Sequence, residues 1–424
     1  MNTSVGRFTT AIATLASGVG LISCGGTSRT SRLPDVSAID ATPYAVINGQ
    51  WFDGETFLNR TAYVAEGKLT FVRPTNVRGS LDLAGGFVIP PLTEAHNHNL
   101  GGYSQDTAAL RAYLDAGVFY VKILSNLPRL SDSVRHLFNH PRSVDVVFAN
   151  GGLTATGGHP IRLRERLLAQ GVYRGFTRET LRDQGYFIID NANDLEVKWP
   201  VIVSQRPDFI KVILVYSEEF AKRRDDTSYF GAKGLDPELL PAIVARAHQH
   251  KLRVSAHVNT ATDFRNAIRA GVDEIAHMPG FDAPSLLSDA DVQAAKAAGV
   301  TVVTTASLAR RRPPELLPRL QEIQRSNLSR LIAAGVPVAI GSDNYDDTSV
   351  GEARYLEELG IDNLTLLRMW TANGARTAFP ERKIGALREG YEASFLVLAE
   401  NPLDDLSNVQ RIVLAVKEGV VLRR

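Results

Sequence analysis

The sequence predicts an α/β fold, a (β/α)8 TIM barrel with a small β-sandwich that the two ends of the chain form together. Apolar strands alternate with helical stretches from Gly86 onward, which is typical of a parallel sheet built from βα units. Eight such units fit into roughly 290 residues, a usual length for this barrel. Short strand-like runs with turn dipeptides flank the alternating region on both sides.

The chain divides into four parts in this interpretation. We expect a signal peptide over 1–23, a flexible Ser, Thr, Asp and Pro-containing linker over 24–42, and a barrel over 89–382. The composite β-sandwich takes residues 43–88 and 383–424. Its strand-like runs cover 45–47, 61–64, 69–72, 393–398 and 412–416, and the turn dipeptides of its first part are Asn48-Gly49, Asp53-Gly54 and Glu66-Gly67.

The first residues have the pattern of an exported protein. Arg7 precedes an apolar, small-residue run over 9–22, and Leu21-Ile22-Ser23-Cys24 resembles the cleavage box of bacterial lipoproteins. That resemblance implies lipidation of Cys24 and attachment to a bacterial membrane, facing the periplasm or the cell exterior. An ordinary signal peptide with an accidental cysteine is the alternative. Cys24 is the only cysteine, so an internal disulfide is excluded.

Overall composition restricts the function only weakly. The chain is 44% hydrophobic and 22% charged, the balance of a globular protein. Its formal net charge of +1 gives no support for a nucleic-acid partner.

Polar residues fall where the predicted barrel strands end. The candidate strands end near His98, Leu124, Asn150, Val215, His257, His277, Ser307 and Asp343. Active sites of such barrels lie at the carboxyl ends of the strands. Two long loops, 151–206 and 216–236, follow the third and fourth strands, and we expect them to shape a substrate pocket.

His96 and His98 close the first barrel strand. Side chains alternate across a strand, so both imidazoles point to the same side, with Cα atoms roughly 6.8 Å apart. That spacing lets both rings reach one metal ion. His248 and His250 have the same spacing but fall in a predicted helix over 240–251, where they face different directions.

Four further residues lie at predicted strand ends, and a histidine lies in a loop: Lys211, His257, His277 and Asp343, with His159. Together with His96 and His98 they resemble the amidohydrolase superfamily of metal-dependent hydrolases. The resemblance extends to Ile384-Gly385-Ala386-Leu387 and Asn401-Pro402-Leu403 near the end of the chain. One departure is that Pro91-Leu92-Thr93-Glu94 precedes His96, where the family usually has Gly-Leu-Ile-Asp.

The resemblance implies a centre of two divalent ions, with zinc expected. His96, His98 and Asp343 would hold one ion, His257 and His277 the other, and a carboxylated Lys211 would bridge them. A lysine ammonium about 4 Å from a dication would be repelled by about 8 kcal/mol even at an effective dielectric constant near 20, so Lys211 must be neutral or a carbamate. A salt-bridged Lys211 in a one-metal site is the alternative.

The implied chemistry is hydrolysis of an amide by a metal-bridging hydroxide. Asp343 would take the proton and pass it to the leaving amine. Thr154-Ala155-Thr156-Gly157-Gly158-His159 resembles the Thr-Gly-Gly-His loop of prolidase-like dipeptidases, which would place His159 near the substrate. Imidazolonepropionase-like and deaminase-like members tend to have a Glu at the position of Thr260, which argues against deamination.

Other loop residues are candidates for substrate binding. Tyr216, Tyr229 and the run Arg310-Arg311-Arg312 follow predicted strands on the active-site side, and an arginine there could meet a substrate carboxylate, although a solvated loop is the simpler interpretation.

The sequence therefore predicts a lipid-anchored, two-metal amidohydrolase acting on a small dipeptide-like or N-acyl amino acid substrate. A cyclic amide (lactam) or ester hydrolase with the same centre is an alternative, and a non-catalytic binding lipoprotein is a third. The oligomeric state stays open, with a homo-oligomer as one option.

Overall fold

The computed structural model describes residues 43–103 and 106–423. The predicted signal peptide, the lipidation site at Cys24 and the linker lie outside the described residues. Within the described part, no helix combines the length and the apolar character needed to cross a bilayer.

Strands from both ends of the chain form one mixed sheet. Its order is β18-β17-β16-β5-β1-β2-β3, with β4 paired to β1. These strands are β1 (Tyr44–Phe52), β2 (Phe57–Ala65), β3 (Lys68–Thr70), β4 (Ser80–Asp82), β5 (Phe87–Ile89), β16 (Phe395–Leu398), β17 (Ile412–Lys417) and β18 (Val420–Arg423). The two ends meet where Val88 pairs with Val397 and where the rings of Trp51 and Phe395 lie 5.6 Å apart. The pairing joins the two terminal segments as predicted, and a two-layer sandwich stays a prediction.

Parallel strands occupy the middle of the chain in two sheets, with orders β6-β7-β8 and β10-β9-β11-β12-β13-β14-β15. Their bounds are β6 (Leu92–Asn97), β7 (Val118–Ile123), β8 (Asp145–Phe148), β9 (Gly152–Thr154), β10 (Tyr186–Ile188), β11 (Ile210–Ile213), β12 (Val254–His257), β13 (Glu274–Ile275), β14 (Thr301–Val303) and β15 (Val338–Ala339). The predicted α/β class with a parallel sheet is confirmed.

Backbone hydrogen bonds also connect the two parallel sheets. The amide of Ala95 donates to the carbonyl of Ile340 at 3.0 Å, beside β6 and β15. At the other junction, the amide of Asp208 donates to the carbonyl of Phe148 at 2.8 Å. The carboxyl ends of β6 and β15 therefore lie side by side.

Helices connect the parallel strands. Their bounds are α1 (Asp106–Asp115), α2 (Pro128–Val134), α3 (Ile161–Ala169), α4 (Arg178–Leu181), α5 (Ala192–Ser204), α6 (Phe220–Arg223), α7 (Leu240–Gln249), α8 (Ala261–Arg269), α9 (Asp289–Ala298), α10 (Leu317–Ala334), α11 (Ser349–Glu358), α12 (Asn363–Arg368) and α13 (Gly374–Ala378). Short 3-10 turns lie at Arg135–Leu137, Ser217–Glu219, Thr227–Tyr229, Pro237–Leu239, Ala306–Arg311 and Leu406–Gln410, and a π-helical turn, Met369–Asn373, joins α12 to α13.

Two local predictions differ from the structure, and a third agrees with it. Asn48-Gly49 does not end a strand, because Asn48, at φ 58°, forms a bulge inside β1. The loop predicted over 151–206 contains β9, β10 and three helices, and β9 joins the sheet beside β11. Glu66-Gly67 is a turn as predicted, with φ of 52° and 70°, the positive pair that a tight hairpin requires.

Candidate active site

The carboxyl ends of the parallel strands bring the predicted histidines together. His96 is the last residue but one of β6, and His98 follows that strand directly. β12 ends at His257, and His277 follows β13 by two residues. The ring centroids of His96 and His277 are 4.4 Å apart, and those of His257 and His277 are 4.3 Å apart. Parallel strands end at one edge of a sheet, so residues distant in sequence become neighbours here.

Asp343 faces the first histidine pair. Its Oδ1 lies 3.1 Å from Nε2 of His98 and 3.8 Å from Nε2 of His96. Ligand atoms of His96, His277 and Asp343 lie within 4.8 Å of one another, close enough to bind one ion. Burial opposes ionisation of Asp343, but the two histidines outweigh it and hold its pKa below the usual range.

Backbone geometry places Asp343 against His96. The amide of Asp343 donates to the carbonyl of His96 at 2.7 Å, and Asp343 adopts φ of 48°, a strained conformation for a residue other than glycine. A Cβ on Gly341 would lie 2.7 Å from the His96 nitrogen. Glycine is therefore required for this close approach of the two chain segments.

His96 and His98 are each oriented by a hydrogen bond from the ring nitrogen Nδ1. Nδ1 of His96 donates to the Ala276 carbonyl at 2.8 Å, and Nδ1 of His98 donates to the Ser125 carbonyl at 3.2 Å. These bonds turn both Nε2 atoms, 3.3 Å apart, toward each other and toward Asp343. Such outer hydrogen bonds are typical of metal-binding histidines.

The second histidine pair is held in a comparable way. Nε2 of His257 donates to Oδ1 of Asn259 at 2.8 Å, which leaves Nδ1 as the free nitrogen. The side-chain Nδ2 of Asn259 in turn donates to Asp282 at 2.8 Å, and this bond fixes the orientation of the Asn259 side chain. Nδ1 of His277 contacts Oγ1 of Thr305 at 2.9 Å. Burial lowers the pKa of both His257 and His277, so both are neutral and able to bind metal.

Lys211 lies on β11 beneath these rings and is an unusual buried amine. Its side chain is 4% exposed, and its Nζ has no hydrogen-bond partner among the described residues. Burial lowers its pKa from 10.5 to about 7, so a large fraction is the free amine at neutral pH. A free amine is the form that reacts with CO₂, and the carbamate would supply oxygen ligands for a cation. The residues therefore fit a divalent metal centre.

A cavity of about 330 Å³ contains all these groups. It is lined by His96, His98, His159, Lys211, His257, His277 and Asp343, and also by Arg164, Arg311, Arg312 and Tyr345. His159 stacks on His257 with ring centroids 4.7 Å apart, and burial lowers its pKa to about 4. The first long loop thus contributes to the pocket, as predicted.

The second long loop does not line this cavity. Tyr216 donates to Asp282 at 2.9 Å, and Arg223 lies over the rings of both Tyr216 and Tyr229. The structure therefore turns both tyrosines toward an ionic cluster beside the cavity. The loop acts indirectly, because the Lys233 carbonyl accepts from the His159 amide at 2.8 Å.

Sequence reasoning missed several residues of the site. Glu94 accepts from the amide and hydroxyl of Ser342 at 2.8 and 2.7 Å and so ties β6 to the segment that carries Asp343. Burial raises the pKa of Glu94 to about 8. Ser125, Asn259 and Thr305 also stood near predicted strand ends, which was the available signal for their roles.

The comparisons with known proteins decide the family. The model of the amidohydrolase family matches residues 192–422, more than half of the chain. The chain belongs to the amidohydrolase family. The predicted class of enzyme, a hydrolase, is confirmed at this level.

This amidohydrolase also resembles individual proteins. It is 31% identical over 208 residues to the ochratoxinase of Aspergillus niger, a match that spans 47% of this chain and 43% of the relative's length. A solved prolidase in complex with N-methylphosphonate-L-proline has a TM-score of 0.69 at 20% identity, covering 90% of this chain and 100% of that one. The solved A. niger ochratoxinase has a TM-score of 0.68 at 21% identity, covering 90% and 96%. At these identities the structural likeness shows the fold alone.

Proposed function

We propose that this amidohydrolase is a metal-dependent hydrolase that cleaves the amide bond of a dipeptide-like or N-acyl amino acid substrate. The observation that carries the proposal is the convergence of four oriented histidines, an ionised Asp343 and Lys211, whose Nζ has no hydrogen-bond partner among the described residues, in one cavity. A prolidase and a Xaa-Pro dipeptidase share this fold, the latter with a TM-score of 0.69 at 17% identity, and the substrate class proposed here is the one their names give. We further propose that the two parallel sheets form the eight-stranded barrel of the family.

The proposed centre takes two divalent ions, with zinc favoured by the histidine-rich ligand set. His96, His98 and Asp343 would hold one, His257 and His277 the other, and carboxylated Lys211 both. When bound, such ions lower the pKa of water and polarise a carbonyl.

The chain's own residues supply the remaining steps in this proposal. Asp343, ionised and held 3.1 Å from His98, accepts a proton from the attacking water and delivers it to the leaving nitrogen. His159, neutral and stacked on His257, donates a hydrogen bond to the substrate from the loop side.

A substrate panel tests the proposed function. The purified, zinc-loaded protein is assayed against dipeptides including Xaa-Pro, N-acyl amino acids, cyclic amides and esters. We expect turnover of dipeptides or N-acyl amino acids that is lost with a chelator and restored by zinc. Exclusive cleavage of cyclic amides or esters would move the assignment to the alternative, and turnover that survives chelation would refute the metal dependence.

Attachment to a bacterial membrane through Cys24 is a separate proposal that rests on the sequence pattern over residues 1–24. Metabolic labelling with a fatty acid should mark the wild-type protein and leave Cys24→Ser unlabelled. Equal labelling of both, or labelling of neither, would refute the anchor.

A further inference from the structure

Arg164 is a buried cation in the wall of the candidate active site. It lies on α3, five residues after His159, and its side chain is 2% exposed. It lines the same cavity as His98, His159 and Asp343. A charged group that is removed from water and faces a substrate cavity requires a compensating partner.

The partners that the structure gives Arg164 are hydroxyl groups. Nη1 donates to the Tyr173 hydroxyl and Nη2 to the Ser125 hydroxyl. Residues 43–103 and 106–423 provide no carboxylate that forms an ion pair with it. Tyr103 and Tyr345, which also surround it, are un-ionised at neutral pH because burial raises the pKa of both, that of Tyr103 to about 12.

Three other buried cations of this chain are paired with carboxylates. Lys122 has Glu274 at 2.7 Å, Lys417 has Asp145 at 2.7 Å, and Arg223 has Glu219 at 2.7 Å. Arginine does not lose its proton in a protein, so Arg164 stays positively charged in its buried position. The cavity around it therefore favours an anion.

The guanidinium has donors left for such an anion. Two of its five N–H groups donate to Tyr173 and Ser125, and a further hydrogen bond involves the Tyr103 hydroxyl. The remaining donors of this planar fork fit a carboxylate. The other arginines of the cavity are less suited, because Arg312 is paired with Asp282 at 2.9 Å, and Arg166 and Arg311 are exposed.

Arg164 is also linked to the candidate metal centre through Ser125. Ser125 accepts from Arg164 through its hydroxyl, and its carbonyl accepts from Nδ1 of His98 at 3.2 Å. The ring of Tyr345, another neighbour, stacks on His98 with centroids 5.3 Å apart. An anion on Arg164 would therefore lie beside the groups that act on the amide.

We propose that Arg164 binds the carboxylate of the substrate and restricts this enzyme to amides whose leaving amino acid carries a free carboxylate. This inference rests on the proposed function and deepens it, since it names the group that selects dipeptides and N-acyl amino acids over neutral amides.

The test compares one substrate with its carboxamide. The best dipeptide or N-acyl amino acid of the panel and its C-terminal amide differ only in the carboxylate. We expect the wild-type kcat/KM to favour the acid by about 100-fold, in the range of a hydrogen bond between charged groups. In Arg164→Met the ratio of kcat/KM for the acid to that for the carboxamide should fall to near one, with the rate on the carboxamide preserved. Arg164→Lys should retain part of the preference for the acid.

Arg162→Met is the matched control, because Arg162 lies on the same helix, is exposed and does not line the cavity. Its ratio should equal that of the wild type. Equal losses on acid and amide in Arg164→Met would mean a structural role and overturn the proposal. If that variant does not fold, a wild-type ratio below about 10 overturns it without any variant.

Binding separates this inference from the proposed function. N-acetyl amino acids and their amides are titrated calorimetrically into the chelated wild type and Arg164→Met. Arg164-dependent binding of the acid without turnover of any panel compound would leave the carboxylate site standing and reject the amidase assignment. Turnover without preference for the acid would support the amidase assignment and reject the carboxylate site.

Discussion

Substituting Lys211 by Met should stabilise the metal-free protein, although Lys211 is proposed to be essential. The side chain is buried and its ammonium has no partner among the described residues, so folding depresses its pKa from 10.5 to about 7. This difference corresponds to about 5 kcal/mol at roughly 1.36 kcal/mol for each pKa unit. Methionine has a similar length and no charge, so it removes that cost.

The effect depends on pH in a defined direction. The unfolded chain keeps the Lys211 proton up to about pH 10.5, whereas the folded chain loses it above about pH 7. The cost is therefore complete below pH 7, shrinks as the pH rises and vanishes above 10.5. We expect the advantage of Lys211→Met to follow the same course.

Denaturant unfolding of chelated protein in CO₂-free buffer, repeated across this pH range, measures the effect. Lys122→Met is the matched control, because it removes the 2.7 Å partner of buried Glu274 and should destabilise the fold by roughly 3–5 kcal/mol. A Lys211→Met variant that is less stable than wild type at pH 6 would refute the description of Lys211 as an unpartnered buried amine.

Three further substitutions test how Asp343 and His96 are held. Asp343→Asn removes the proton acceptor, and asparagine tolerates the positive φ of this position. Turnover in a kinetic assay should therefore fall by at least about 100-fold, while metal analysis shows that metal stays bound. Retained activity would contradict the role of Asp343 as proton acceptor. Gly341→Ala places a Cβ 2.7 Å from the His96 nitrogen and should weaken metal binding by about 10-fold or more in a competitive chelator titration; unchanged affinity would contradict it. Glu94→Ala leaves the amide and hydroxyl of Ser342 without their acceptor and should lower the unfolding free energy by about 3 kcal/mol in denaturant melts, and an unchanged midpoint would count against that tie.

The sequence predicted the site correctly where the side-chain period along a strand, or a position at a strand end, determines which residues lie close together. His257 and His277 end consecutive parallel strands, so their proximity followed from the α/β pattern alone. The ring distance of 4.3 Å agrees with that reasoning. The alternation of side chains likewise predicted that His96 and His98 converge, and their Nε2 atoms are 3.3 Å apart.

Residues in loops could not be placed in this way. Tyr216 follows β11 as predicted, but hydrogen bonding to Asp282 and packing on Arg223 direct it away from the cavity, and neither partner is visible from local sequence. Arg164 was missed for a related reason. Its importance lies in the absence of an acidic partner among the described residues, which is a property of the folded cavity and has no pattern in the sequence.

Short strands were the other difficulty. β9 and β10 have three residues each and lie among helices and turns, where periodicity has too few positions to be read. Asn48-Gly49 has the composition of a turn and forms a bulge instead, because β1 continues on both sides of it in pairing with β2.

Metal content per chain tests the central claim most directly. Wild type, His257→Ala and Lys211→Ala are purified, loaded with zinc in bicarbonate buffer, desalted and analysed for metal. We expect about two ions in the wild type and one or none in each variant, because His257 and the Lys211 carbamate would both hold the second ion. A wild-type protein with no bound metal, or a single ion that survives both substitutions, would contradict the bridged two-metal centre.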